Sequence, residues 1–163
     1  MEKGLVFTVE AGKYVYRKTK SIKNNIYFVL HGELEYRHPV NEERFGDRVT
    51  IGFSVGEEIL FEKPALKSRI ECVAAVTNSC LIQLDATEFT NMAKRASDGG
   101  GSTAFREDKE ILWDLCRQFY FMKSLWRNDE GMIDELPEMM EPWLKKQEAR
   151  AQMLLPPTTG IRS

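Results

Sequence analysis

The chain is poor in the residues that build metal and redox sites. It has two histidines, His31 and His38, and three cysteines, Cys72, Cys80 and Cys116, among 163 residues. Two imidazoles seven positions apart cannot supply the set of a histidine metal centre, so no metal is expected. The cysteines are odd in number and lack a CxxC. The three read as reduced, packed thiols of an intracellular protein. No apolar run approaches the ~20 residues of a membrane span, and no basic-then-apolar leader suggests secretion. No nucleophile context for a Ser/His/Asp hydrolase stands out. Charge of one sign is missing too: the net charge is −2 with both signs interspersed, which gives nucleic acid no electrostatic hold. The expectation is a cytoplasmic protein that is not an enzyme, needs no cofactor, binds no nucleic acid and does not insert into membranes.

What is present is enough apolar content, 42%, for one domain with an appendage. The first half reads as short strands. KYVYR alternates Tyr14 and Tyr16 against Val15. IYFVLHGELEYR is rich in aromatic and β-branched residues, with Gly32 as a bend between two strand segments. HPVNEERFGDR reads as a hairpin loop and VTIGF as a further strand. RIECVAAV and SCLIQLD form a last pair turned at Thr77-Asn78. The fold class that follows is mainly β: an antiparallel β-roll or jelly roll followed by α-helices.

The period changes after Asp85. ATEFTNMAKRA has helical spacing, with Phe89, Met92 and Ala93 on one face. DGGGS, residues 98–102, reads as a hinge. Residues 103–127 read as an amphipathic helix, with Ser102 or Thr103 as its N-cap and Ile111, Leu112, Leu115, Phe119, Met122 and Trp126 as its apolar stripe. Residues 128–163 form an acidic tail with a short helix from Pro142 to Leu155 and an unstructured end, PPTTGIRS. The domain reading is therefore 1–97, roll plus first helix; 98–102, hinge; 103–127, helix; 128–163, tail. An acidic tail without a basic recognition helix does not suit DNA.

The stretch from Gly52 to Leu60, GFSVGEEIL, with Arg69 twelve residues after Glu57, carries the chemistry. A glycine turn, a carboxylate, backbone donors and a guanidinium suit a small sugar phosphate. With YFVLHGELE before it and SRIECVAAVTNSCLIQLDATEF after it, the stretch from Val9 to Met92 resembles the cyclic nucleotide-binding domain family. That family comprises the β-roll of kinase regulatory subunits, nucleotide-gated channels and bacterial catabolite activators.

The resemblance implies a phosphate-binding cassette. Glu57 would accept from the ribose 2′-hydroxyl, Arg69 would pair with the phosphate oxygens, and Gly56 would let the backbone approach the sugar. The N–H groups of Glu58, Ile59 and Leu60 would donate to the phosphate. Trp113 or Tyr120 would be first candidates to cap the base, although packing of the helix on the roll is the plainer role for both. Ile70 has no hydroxyl where a threonine accompanies cGMP preference, so the ligand would be cAMP before cGMP. The chain departs from the family pattern at Ile59, where the family usually has alanine, and in the lengthened EKPALK segment. Two functions follow. One is a cyclic nucleotide sensor that signals to a protein effector through its C-terminal helices. The other is a degenerate roll that binds no nucleotide and acts as a scaffold or interaction module. A cupin-like enzyme fails on the histidine count.

Overall fold

A computed structural model describes the chain over residues 4–18, 24–61, 69–97 and 103–155, with side chains from 4–18, 24–61, 69–92 and 110–155. Eight strands precede three of the helices: β1 Leu5–Val9, β2 Tyr14–Tyr16, β3 Asn25–His31, β4 Leu34–Arg37, β5 Arg44–Val49, β6 Ser54–Val55, β7 Cys72–Ala75 and β8 Ser79–Asp85. They form two antiparallel four-stranded sheets, ordered β1-β8-β3-β6 and β2-β7-β4-β5. This is the expected β-roll with helices behind it.

Side-chain alternation explains which face of each strand turns inward. In β4, Leu34 and Tyr36 are buried while Glu35 and Arg37 are half-buried. Tyr27 and Val29 point inward from β3, and Val73 and Ala75 from β7, to make a core with Leu34, Tyr36, Phe45, Val49 and Leu81. Gly32 bends the chain between β3 and β4 at φ 91°, the left-handed region that glycine enters without steric penalty.

The strand reading needed three corrections. LVFTV forms β1, pairing Leu5 to Val9 with Gln83 to Ser79, whereas the sequence reading started the roll at KYVYR. Arg44–Asp47 lies in β5 rather than in a hairpin loop, paired through Arg37↔Arg44 and Tyr36↔Phe45. VTIGF is not a strand beyond Val49: residues 50–53 turn, with Phe53 N–H donating to Thr50 O. In the first two cases pairing with a neighbouring strand outweighs local composition.

Four helices follow or interrupt the roll: α1 Glu58–Phe61, α2 Ala86–Ser97, α3 Thr103–Asp129 and α4 Met140–Leu154. Asp85 opens α2 by accepting from Glu88 N–H at 2.9 Å, which satisfies one free amide of the first turn. Phe89 and Met92 pack with Ile26 and Cys116. The 98–102 hinge, the EKPALK segment and the PPTTGIRS end lie outside the described residues, as do the side chains of Ala93 and Thr103.

The buried face of α3 differs from the stripe expected. Ile111 and Leu112 are 57% and 42% exposed, while Cys116, Tyr120, Lys123, Ser124 and Arg127 are buried. This helix bridges the two sheets. Phe119 meets Phe53 beside β6, with ring centroids 4.8 Å apart. Trp126 meets Tyr36 of β4 at 6.3 Å. Gly46 of β5, at φ 64°, leaves room for that indole, since a Cβ there would come within 2.4 Å of Trp126 Cε3.

Candidate ligand cassette

The cassette is built where β6 ends. Gly56 adopts φ 85°, and the chain then turns into the single helical turn of α1. Glu57 and Glu58 are both fully buried there, and Arg69 is buried at 3% exposure. The sequence-predicted carboxylate and guanidinium therefore share one enclosed region of the roll. What they touch is the chain itself.

Arg69 donates through Nη1 to Glu58 Oε1 at 2.8 Å and to Gly56 O at 3.0 Å. Its Nη2 donates to Asn25 O at 2.5 Å, and its guanidinium lies 4.6 Å over the Tyr16 ring. Arg69 is thus a buried arginine rather than a surface one. Gly56 serves this arginine: a Cβ on it would lie 2.8 Å from Arg69 Nη1.

Two cations reach the same region from α3. Lys123 Nζ lies 2.6 Å from Glu57 Oε1 and also donates to Ser54 O. Ser54 Oγ donates to the other Glu57 oxygen at 3.1 Å. Arg127 grips Glu71 with two bonds, Nε to Oε2 at 2.9 Å and Nη2 to Oε1 at 2.8 Å. Its Nη2 is also 3.6 Å from Glu58 Oε2. Tyr16 donates its hydroxyl to Glu71 Oε1 at 3.2 Å. Among the described residues, three carboxylates and three cations thus meet inside the roll. Each is almost wholly removed from water, a placement that charged groups tolerate only when paired.

The protonation tendencies follow from this crowding. Burial would raise the Glu58 carboxyl, but Arg69 and Arg127 outweigh it and hold Glu58 below its ordinary value. At Glu71 burial prevails over the Arg127 pairing, helped by repulsion from Glu58, and its carboxyl is raised. Burial also lowers the Lys123 ammonium, against the pull of Glu57. The Cys116 thiol is pushed up to about 12 by burial and the nearby Glu57 charge, which leaves it an inert packed thiol.

The other candidate residues are placed as follows. Ile59 and Leu60 turn away from the ion cluster and pack with Ile26, Ala86 and Phe89. Ile70 is half-buried beside Arg69. Leu60 N–H donates to Glu57 O at 3.0 Å. Trp113 stacks on Phe89 at 5.8 Å and meets Phe61 edge-on at 5.1 Å. Tyr120 packs on Phe61 at 5.1 Å. His31 is exposed at the end of β3, and His38 Nδ1 accepts from Val40 N–H at 3.2 Å.

Sequence reasoning missed Ser54, Glu71, Lys123 and Arg127. A signal existed for the last two: Cys116, Tyr120, Lys123 and Arg127 recur at intervals of four, three and four, the spacing of one helical face. Among the described residues, no helix is long and apolar enough to cross a membrane, and no cluster of histidine, cysteine and acidic residues could hold a metal.

Compared by sequence, the chain matches no family model and no curated protein. Compared by structure, it resembles cyclic nucleotide-binding proteins. One is the regulatory domain of Toxoplasma gondii PKA with cAMP, at 24% identity and TM-score 0.46, covering 57% of this chain and 36% of that one. A second is the regulatory subunit of a cAMP-independent protein kinase A from Trypanosoma brucei, at 20% and 0.44, covering 50% and 28%. A third is a cyclic nucleotide-binding-like protein from Brucella abortus, at 20% and 0.43, covering 54% and 73%. The chain thus spans about a third of the length of the two kinase regulatory chains. At these identities the likeness is one of fold, and the fold is that of the strand order and register above.

Proposed function

We propose that this chain is a non-catalytic regulatory module on a cyclic nucleotide-binding-like roll, in which the cassette holds helix α3 in place of a nucleotide. One observation carries the reading. Glu57, the expected ribose acceptor, lies 2.6 Å from Lys123, while Arg69, the expected phosphate partner, is 2.8 Å from Glu58. A cyclic phosphate at Arg69 would have to displace Glu58 and would add a negative charge to a region where, among the described residues, three carboxylates already stand beside three cations. In a poorly solvated interior that mismatch is costly. The roll's task is then to fix α3, and the helices behind it present the surface through which the module acts on a protein effector.

A second reading keeps the sensor. It is favoured by the convergence of Gly56, Glu57 and Arg69 on one enclosed region, and by the fact that both Lys123 and Arg127 arrive on a single helix. A nucleotide, cAMP before cGMP, would compete with α3 and release it towards its effector. Ligand can drive such a change only by the difference in its affinity for the two helix positions.

Calorimetric titration of the full chain with cAMP and with cGMP separates the two. The expected result is no saturable heat and no rise in unfolding temperature with either nucleotide. Saturable binding that Arg69→Ala abolishes, in a variant still folded by circular dichroism, would establish the sensor instead.

A further inference from the structure

Away from the cassette, one face of α4 carries Met139, Trp143, Lys146 and Arg150 at intervals of four, three and four. With Arg117 and Phe121 of α3 they line a groove of about 350 Å³. Its floor is aromatic, Phe121 against Trp143 with centroids 5.9 Å apart. Its rim carries Lys146 and Arg150, while Arg117 is paired at 2.5 Å with Asp114, which also lines the groove. Met139 is 51% exposed, and at the far end of the helix Met153 and Leu154 are 87% and 86% exposed. Before α4, the end of α3 and the loop after it carry Asp129, Glu130, Asp134, Glu135 and Glu138, all exposed, with no lysine or arginine among them. The region is therefore acidic at one end, basic at the other, and apolar between.

These charges cannot satisfy one another within the chain. Glu138 precedes Arg150 by twelve positions, roughly 18 Å along a helix, far beyond an ion pair. Among the described residues, Glu135, Glu138, Lys146 and Arg150 have no ion-pair partner. A two-fold axis near Trp143 removes the difficulty. It lays a second α4 antiparallel on the first and sets the acidic loop of each copy over the Lys146–Arg150 end of the other. Such a contact is self-complementary, as a closed two-fold interface must be. It also brings the Trp143 rings together at its centre, where an aromatic anchor contributes most.

We propose that a second copy of this chain docks on the α4 face, forming an antiparallel two-fold dimer through Trp143, with Glu135 and Glu138 of each copy facing Lys146 and Arg150 of the other. A 15-residue helix offers a face about 22 Å long. That is a small interface, and the dimer belongs in the micromolar range.

Sedimentation velocity of the full chain from about 5 to 500 μM tests this over the range that such an interface predicts. A reversible monomer–dimer equilibrium is expected. Lys146→Glu with Arg150→Glu should weaken it about a hundredfold, because the two-fold axis applies each reversed pair twice. Glu135→Lys with Glu138→Lys should do the same. All four side chains are exposed, so circular dichroism should be unchanged. Mixing the two charge-reversed proteins should restore association as a heterodimer. A monomer at every concentration overturns the proposal. So does a dimer indifferent to both reversals, or reversed proteins that fail to recombine.

Discussion

Lys123 is the residue on which the interior depends most directly. Its ammonium is almost wholly buried, lies beside Glu57 and is capped by Ser54 O. Lys123→Met keeps most of the side-chain volume but leaves the Glu57 carboxylate buried without its cation. The expected loss is about 3–5 kcal/mol in urea unfolding. Glu57→Gln in the same chain should recover a large part of that loss, since the orphaned charge goes with it. The double variant should therefore be far less damaged than the sum of the two singles. Additive losses would mean that the two side chains are not paired in solution. Cys116, two turns away on the same face, has its thiol held at about 12 and takes no part in the ionic work.

At the scale of elements, α3 and β5 are joined by a contact that no hydrophobicity count would suggest. The Trp126 indole fills the space that a side chain on Gly46 would occupy. Gly46→Val is expected to cost about 2–4 kcal/mol, from overpacking together with a branched residue at positive φ. In a Trp126→Ala background only the backbone strain remains, and the cost should fall by at least about 1 kcal/mol. Equal costs in both backgrounds would detach α3 from β5.

Much of this architecture could be read in advance. The alternation in β3, β4 and β8 and the period of α2 are written in their residues. Gly56, Glu57 and Arg69 stood out by type and spacing, and the structure brings them into one buried region. The edge strand β1 was not legible, because five residues, LVFTV, declare a strand only once β8 lies beside them. Nor was β5, whose Arg44, Asp47 and Arg48 look like loop chemistry and are placed by pairing with β4. The inner face of α3 was misread for a plainer reason. Scoring by hydrophobicity sends lysine and arginine outward, while here Lys123 and Arg127 point inward to carboxylates more than fifty residues earlier. No local pattern reports a partner at that distance.

For the whole molecule, the charge cluster sets how stability answers to acid. Glu58 is held below its ordinary value. Its contribution is complete above the unfolded carboxyl range, near 4.5, and is lost as pH falls through its lower folded value. Glu71 is raised and acts in the opposite sense: its contribution is present at low pH and is lost as pH climbs through its folded value. Urea midpoints measured stepwise from about pH 6.5 to 3 should fall for the wild-type chain. The fall should be shallower for Glu58→Gln and steeper for Glu71→Gln. The same slope in all three would remove these carboxyls from the account.

The pairing of Arg127 with Glu71 across fifty-six positions also has a direction in time. A ribosome makes Glu57, Glu58, Arg69 and Glu71 first and adds Lys123 and Arg127 long afterwards. While only the strands have emerged, this cluster holds three acids and one base, and a closed roll would bury two of those acids without partners. The nascent sheets must wait, with their interior wet, for a helix that has yet to be translated. Closure of the roll then follows the synthesis of α3, although its strands are made first.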